Sequence, residues 1–210
     1  MSTQNQLPRE LDWSKGNGLL PAIVQHCLTG EVLMLGYMNA EALAETQRSG
    51  HVTFYSRSKQ RLWTKGESSG HVLDLKSLRI DCDADTLLIQ AEPHGPTCHN
   101  GTTSCFGDAA EVAPPLGFLA ELDALVAQRH AERPDGSYTT KLFNDGIRRI
   151  AQKVGEEGVE TALAAVVQGD RELLGEAADL LFHLTVALRA RGLSLADVVG
   201  VLAERHRQKL

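Results

Sequence analysis

The strongest constraint on the fold is a change of hydrophobic pattern at residues 111–117, EVAPPLG. Before it, short apolar runs separated by Gly, Ser and Asn predict β-strands. These runs occupy 32–38, 51–56, 71–80 and 86–92. After residue 115, apolar residues recur with the 3.6-residue period of amphipathic helices. A Pro-Pro pair cannot continue a strand ladder, so we predict two domains, 1–111 and 112–210. The first is mainly β with a short helix, and the second is an all-α helical bundle.

The helices of both predicted domains can be placed from caps and periodicity. In the first, Asn39 is a plausible N-cap for a helix that ends near Ser49. In the second, apolar residues predict a helix near 119–126, a second over 142–154, a helix over 153–166 and another over 171–188. Ser194 opens a last short helix through a Ser-x-x-Asp signature.

Charge and cysteine content limit the function classes. The net charge of −6 disfavours a non-specific binder of nucleic acid or anionic membranes. No apolar run approaches the roughly 18 residues of a membrane span, and the first residues lack a signal-peptide core. Four cysteines are too few for a disulfide scaffold. We therefore expect a cytoplasmic protein with reduced thiols, in which Cys27 is a core thiol.

An acidic segment, DCDAD at 81–85, is the sharpest local feature of the first half. If the segment is extended, Asp81, Asp83 and Asp85 share one face and Cys82 points to the other. Three carboxylates on one face repel each other unless a cation lies among them, and hard oxygen ligands suit Mg²⁺ or Ca²⁺. The alternative is a solvated acidic turn.

A second feature is the polar loop GPTCHNGTTSCF at 95–106, which contains Cys98 and Cys105. Together with Cys82 they supply three thiolates, and a zinc ion with three protein ligands keeps a fourth position for water. Such a metal lowers the pKa of bound water to about 7. His99 is then placed to shuttle the proton. The alternative is that the cysteines are buried small hydrophobic residues.

The segment SRSKQRLWTKGESSGH at 56–71 interleaves basic residues with Ser and Gly. One interpretation is a solvated basic hairpin. The other is that Arg57 and backbone amides of the segment hold a phosphate group.

These three segments, with MNAEAL at 38–43, resemble phosphoribosyl-AMP cyclohydrolase over residues 10–108. The resemblance implies hydrolytic opening of the adenine ring between N1 and C6, with His99 as general base or proton shuttle. It implies zinc on Cys98, Cys105 and a Cys82 from the opposite subunit of a homodimer. It also implies Mg²⁺ on the three aspartates of 81–85. The implied substrate-binding residues are Arg57, Trp63, Lys65 and Glu67.

Two acidic stripes mark the helices of the second half. Glu157 and Glu160 lie three residues apart on one face, and Glu156 is one turn from Glu160. On the next helix, four side chains spaced 4, 3 and 4 apart form one stripe: Glu172, Glu176, Asp179 and His183. A short turn near Gly169 makes the helices antiparallel neighbours. The stripes then face each other and form a candidate Mg²⁺ site. The alternative is two ordinary solvated helix faces.

The pattern GEEGVE…EAADLLFHL is similar to phosphoribosyl-ATP pyrophosphohydrolase, and the similarity runs from about 117 to 205. It implies Mg²⁺ on Glu157, Glu160, Glu176 and Asp179, with Glu156 adjacent. It further implies that Lys141 and Lys153 contact phosphates while water attacks the α–β linkage. One departure is Gly158, which costs about 1 kcal/mol of helix propensity relative to Ala.

The two implied reactions are consecutive, because the product of the second half is the substrate of the first. We therefore expect a bifunctional hydrolase of histidine biosynthesis that acts on phosphoribosyl-ATP and then phosphoribosyl-AMP. One alternative is a purine deaminase-like zinc hydrolase fused to a house-cleaning nucleotide pyrophosphatase. The other is a zinc-stapled structural module that carries an interaction bundle.

Overall fold

A computed structural model describes residues 10–108 and 114–209. The chain forms two compact units, which divide between Gly117 and Phe118. The predicted boundary at residue 112 lies outside the described residues. Among the helices that the structure describes, none combines the length and apolar character that crossing a membrane requires.

The first unit is mainly β, as predicted. Its strands are β1 (Leu20–His26), β2 (Val32–Met38), β3 (Thr53–Ser56), β4 (Arg61–Thr64), β5 (Leu73–Ile80) and β6 (Leu87–Pro93). Four of them form a sheet in the order β2-β1-β6-β5, in which β1 and β6 are parallel and the other pairs antiparallel. Strands β3 and β4 form a separate antiparallel hairpin.

Strand β1 was not predicted, although it lies in the middle of the sheet. Pro21 near its start argues against a central strand in a sequence-based interpretation. The structure accommodates this proline because pairing with β6 begins only at Ala22. Cys27 follows β1 and is only half-buried, so its prediction as a core thiol is wrong.

Helix α1 (Ala40–Ser49) starts and ends where the caps predict. The Asn39 side chain accepts a hydrogen bond from the Ala42 N–H at 2.8 Å, and Gly50 ends the helix in a left-handed conformation. The core of the unit lies between this helix, the sheet and the hairpin. Its largest fully buried side chain is Phe54, which stacks on Trp63 at 5.6 Å between ring centroids.

The second unit is all-α. It consists of α2 (Gly117–Glu132), α3 (Tyr138–Asp145), α4 (Ile147–Val167), α5 (Asp170–Ala190) and α6 (Leu195–Arg207). The predicted continuous helix over 142–154 is wrong, because Gly146, whose φ is 86°, interrupts the helix. Helix α4 starts anew at Ile147 and continues through the predicted 153–166 segment. A capping box at Ser194 and Asp197 starts α6 as predicted. The core is small, and its buried members are Val126, Leu142, Phe143, Ile150 and Val186.

Candidate active sites

The first unit contains a cavity of about 470 Å³ between the end of the hairpin and the loop after β6. Six of the residues predicted for catalysis, zinc or substrate line it: Trp63, Lys65, Glu67, Cys98, His99 and Cys105. They come from two segments that are distant in sequence. The fold therefore brings the basic hairpin segment and the cysteine loop to one place.

The two cavity thiols interact with each other. Hydrogen bonds from the Asn100 backbone and then from Thr102 lower the pKa of Cys98. Burial, and then the neighbouring Cys98 sulfur, raise the pKa of Cys105. Soft sulfur donors in contact are the ligands that zinc prefers.

A buried lysine stands beside this thiol pair. Lys65 Nζ donates to the carbonyl oxygen of His71 at 3.2 Å, and burial lowers the pKa of Lys65 against the opposing pull of Cys105 and Cys98. The cavity thus contains a cation close to two potential thiolates.

His71 also lines the cavity, and the sequence analysis assigned it no role. A Cβ atom added to Gly95 would lie 2.8 Å from its imidazole ring, so a larger residue there would displace the ring. Gly95 also has a φ of 103°, a region that favours glycine. The neighbouring serines and glycines of 66–70 were the available signal, but they did not single out the histidine.

Segment 81–85 is not extended, so the predicted alternation of its side chains is wrong. Asp81 Oδ1 accepts hydrogen bonds from the backbone N–H groups of Asp85 at 3.0 Å and Thr86 at 3.1 Å. These bonds close a tight turn in which Ala84 has a φ of 63°. The turn still brings carboxylate oxygens of Asp81, Asp83 and Asp85 within 4.8 Å of one another.

A lysine distant in sequence reaches this acidic turn. Lys15 Nζ lies 2.7 Å from Asp83 Oδ2 and 3.4 Å from Asp85 Oδ2. Cys82 is exposed in the same turn and is not among the residues lining the cavity. One chain therefore brings two of the three predicted zinc ligands together.

Arg57 also lies apart from the residues lining the cavity. Its guanidinium stacks on the Tyr37 ring, 3.8 Å from the ring centroid. His99 is exposed at the cavity, and its Nδ1 lies 3.8 Å from the Cys98 sulfur.

In the second unit, α4 and α5 place Glu157, Glu176 and Asp179 together, with carboxylate oxygens within 4.8 Å of one another. Glu157 is buried, Glu176 is half-buried and Asp179 is exposed, so the cluster opens to solvent on one side. Glu160 is a neighbour. Desolvation and the negative charges of Glu157 and Glu176 raise its pKa.

Lys153 lies one turn before the cluster on α4. Its Nζ is 2.6 Å from Glu157 Oε1 and 3.0 Å from Glu156 Oε2. The hydrogen bond from Lys153 lowers the pKa of Glu157 and that of Glu156. Glu156 also accepts a hydrogen bond from Gln152 at 2.7 Å and is not part of the three-carboxylate cluster.

Lys141 lies in a different environment. It lines an open cavity of about 650 Å³ around the start of α3, together with Tyr138 and the loop before it. Tyr138 also contacts the helix that carries Glu176 and Asp179. Its Oη lies 3.1 Å from Nε2 of the buried His183 on that helix, α5.

Comparisons with known proteins match each unit separately. The model of the family described as phosphoribosyl-AMP cyclohydrolase matches residues 34–107, and that described as phosphoribosyl-ATP pyrophosphohydrolase matches residues 119–206. Three relatives bear the name histidine biosynthesis bifunctional protein HisIE. The relative from Xanthomonas campestris pv. campestris is 70% identical over 94% of this chain and 93% of its own length. Those from Salmonella typhimurium and Escherichia coli are 59% and 58% identical over 98% of this chain and all of theirs.

A mainly β unit with a thiol-lined cavity, followed by a helical unit with an acidic cluster, defines a two-domain hydrolase of phosphoribosyl nucleotides. The chain belongs to the family of histidine biosynthesis bifunctional proteins HisIE. It is a phosphoribosyl-AMP cyclohydrolase and phosphoribosyl-ATP pyrophosphohydrolase. These matches leave the deaminase fusion and the purely structural module without support.

Proposed function

We propose that the first unit opens the adenine ring of phosphoribosyl-AMP at a zinc site completed by a second copy of the chain. Cys98 and Cys105 would hold the zinc together with the partner subunit's Cys82. The observation that carries this proposal is the thiol pair in the cavity wall, with the third cysteine exposed elsewhere on the same chain. An exposed thiol in a turn is available to another subunit.

The donor set fits zinc, since three thiolates leave one position open. Bound zinc lowers the pKa of water to about 7 and so supplies hydroxide at neutral pH. His99, at the cavity beside Cys98, would receive a proton from the attacking water and deliver it to N1 as the bond from N1 to C6 breaks. Trp63 offers an apolar face, and Lys65 and Glu67 offer a cation and an acceptor to the substrate. Arg57, stacked on Tyr37, would bind the phosphate group.

The acidic turn is proposed as the Mg²⁺ site of the first unit. Its three carboxylates offer hard oxygen donors within 4.8 Å of one another. Two of them already attract the ammonium of Lys15, so the turn is arranged around a positive charge.

In the second unit, we propose that Glu157, Glu160, Glu176 and Asp179 hold Mg²⁺ for the hydrolysis of phosphoribosyl-ATP to phosphoribosyl-AMP and pyrophosphate. Bound Mg²⁺ neutralises phosphate oxygens and orients them for displacement. Lys153 lies beside these carboxylates and would contact the phosphates. Lys141, at the open cavity near α3, would hold a more distant phosphate. Glu156, adjacent to the site, would keep Lys153 in position.

A homodimer is the assembly that the surface of the second unit supports. Several large apolar side chains are more than half exposed on α4, α5 and α6: Val159, Leu163, Val166, Val167, Leu174, Val199 and Leu202. So many exposed large apolar side chains in one small unit favour an interaction surface, and we propose that a second copy of the chain covers them. The small core of the unit is a second reason to expect additional burial through self-association. We further propose a cytoplasmic location. It is supported by the four free thiols, because retention of thiolate ligands needs a reducing compartment.

The experiment follows both reactions in one sample. Glu176→Gln should abolish pyrophosphate release from phosphoribosyl-ATP while ring opening of added phosphoribosyl-AMP continues. Glu172→Gln, on the same helix and outside the cluster, is the matched control. Conversely, Cys98→Ala should lose bound zinc and ring opening but keep pyrophosphate release, with Cys27→Ala as its control. Loss of both activities in either variant contradicts separable sites.

A chelation experiment separates the two metals. After removal of metal, Mg²⁺ alone should restore pyrophosphate release, whereas ring opening of phosphoribosyl-AMP should return only when Zn²⁺ and Mg²⁺ are both added. Restoration of both reactions by Zn²⁺ alone contradicts the assignment of two metal classes.

A further inference from the structure

We propose that His183 and Tyr138 form a positioning pair, which orients the pyrophosphohydrolase carboxylates without itself binding the metal. This inference rests on the proposed function of the Glu157, Glu176 and Asp179 cluster. His183 continues the acidic stripe of α5, but the proposed ligand set does not use it.

The hydrogen bonds of His183 define how its ring is held. The residue is only 4% exposed, and its Nδ1 lies 2.9 Å from the backbone oxygen of Asp179. A carbonyl oxygen can only accept, so Nδ1 carries the hydrogen. In the neutral imidazole, Nε2 is then an acceptor, and the hydroxyl of Tyr138 donates to it at 3.1 Å. Both ring nitrogens therefore have a partner.

The same ring edge faces the buried carboxylate of α4. His183 Nδ1 lies 3.7 Å from Glu157 Oε1, beyond hydrogen-bond length but close enough for electrostatic attraction. Lys153 Nζ approaches the same oxygen to 2.6 Å. Glu157 is 5% exposed, and a carboxylate so deeply buried depends on such polar neighbours.

Tyr138 fixes the imidazole from a third helix. It stacks on Phe182 at 6.1 Å between centroids and meets the His183 ring edge-on at 6.1 Å. It also lines the 650 Å³ cavity that contains Lys141. The pair therefore ties α3 and its cavity to the backbone of one proposed ligand and the side chain of another.

Side chains that hydrogen-bond to metal ligands without binding the metal typically contribute 10- to 100-fold to metal affinity or activity. The test compares His183→Asn, whose amide nitrogen can replace the Nδ1 donor, with His183→Gln, whose amide reaches towards the Nε2 position. Tyr138→Phe removes the hydroxyl and keeps the stacked ring. His130→Ala is the matched control, since His130 packs on Phe143 in the same unit at 4.4 Å between centroids.

Mn²⁺ binding to the full-length chain is measured by electron paramagnetic resonance, and sites that disappear in Glu176→Gln are assigned to the cluster. We expect His183→Gln to weaken this binding about tenfold, and Tyr138→Phe to weaken it about threefold. His183→Asn keeps the Nδ1 donor but loses the acceptor for Tyr138, so it should weaken binding about threefold, as Tyr138→Phe does. His130→Ala should stay close to wild type. The Mg²⁺ concentration needed for pyrophosphate release should rise in the same order, while ring opening in the same samples stays unchanged.

Two results would overturn the pair: unchanged Mn²⁺ affinity in both His183→Gln and Tyr138→Phe, or binding in His183→Asn as weak as in His183→Gln. If His183→Gln does not fold, Tyr138→Phe decides alone, and wild-type affinity in it refutes the proposal. If Glu176→Gln itself removes no Mn²⁺ site, the proposed metal cluster fails, which is a distinguishable outcome.

Discussion

Nζ of Lys15 lies 2.7 Å from Oδ2 of Asp83, so a lysine before the first strand places its positive charge in the acidic turn. The same ammonium donates to the backbone oxygen of Asp83 at 2.9 Å. A cation at this position competes with a metal ion for the carboxylates.

The first prediction removes that charge. Lys15→Met should tighten Mg²⁺ binding to the turn by about three- to tenfold, because a positive charge next to the site no longer opposes the metal. Isothermal titration of Mg²⁺ into the full chain measures this. The control is Lys76→Met, which removes a lysine that pairs with Glu92 and not with the acidic turn. Weaker Mg²⁺ binding in Lys15→Met would show that the lysine supports the site instead.

The second prediction concerns the contact between β2 and the hairpin. A Cβ atom at Gly36 would lie 2.3 Å from Cδ1 of Phe54, a ring that is fully buried and stacked on Trp63. Gly36→Ala should therefore destabilise the first unit by about 1–3 kcal/mol. Because Trp63 lines the cavity, the KM for phosphoribosyl-AMP should rise as well.

Tryptophan fluorescence during urea unfolding isolates this effect, since both tryptophans, Trp13 and Trp63, belong to the first unit. The control, Gly200→Ala, lies in α6 with open space around the added atom and should leave the fluorescence transition unchanged. A Gly36→Ala transition equal to wild type would mean that the ring moves aside without cost.

The third prediction concerns Gly158, which interrupts an otherwise good helix sequence in α4. A Cβ atom added there would meet Leu180 Cδ1 at 4.0 Å, which is ordinary contact. Gly158→Ala should therefore stabilise the second unit by about 1 kcal/mol through helix propensity. Far-UV circular dichroism during unfolding measures it, because α2 to α6 dominate the signal. Destabilisation would show instead that α4 and α5 need glycine to approach each other.

The fourth prediction is a pH dependence. Partial burial opposes ionisation of Asp74, but hydrogen bonds and charge from His94 and then His51 outweigh it and lower the pKa of Asp74. A carboxyl group with a lowered pKa in the folded state stabilises the fold above its unfolded pKa of about 3.9. This contribution is lost as the pH falls through the lower folded value.

Asp74→Asn should consequently lose less stability than wild type between about pH 5 and about pH 2. Urea unfolding followed by tryptophan fluorescence across this range provides the measurement. Ser77→Ala, on the same strand as Asp74, removes no ionisable group and is the control; it should follow the wild-type slope. Parallel curves for wild type and Asp74→Asn would refute the contribution of this cluster.

Much of the local structure could be predicted from the sequence, because it depends on neighbours along the chain. The caps at Asn39 and Ser194 use side-chain oxygens that accept N–H groups three residues ahead. The change from short apolar runs separated by Gly, Ser and Asn to a 3.6-residue period predicted the β and α character of the two halves. Period and capping are short-range properties, so no tertiary information was needed.

The errors in local structure occurred where short-range signals competed. Asp81 closes a turn with its own side chain, which no alternation of polar residues indicates. Gly146 stops a helix whose apolar period continues across it. Strand β1 contains Pro21, which is unusual in a central strand. The parallel partner that makes β1 central begins at Leu87, more than sixty residues later in the chain.

The sequence by itself determined which functional groups are available, namely thiols, carboxylates, lysines and histidines. It also indicated on which kind of secondary structure element most of them lie. Only the tertiary structure decided which of them meet. Lys65 and His71 line the same cavity as Cys98 and Cys105, whereas Cys82 is not among the residues lining it. Glu157 faces Glu176 and Asp179, whereas the adjacent Glu156 pairs with Lys153. The physical reason is that a helix or strand fixes only the direction of each side chain, and the packing of separate elements fixes its partners.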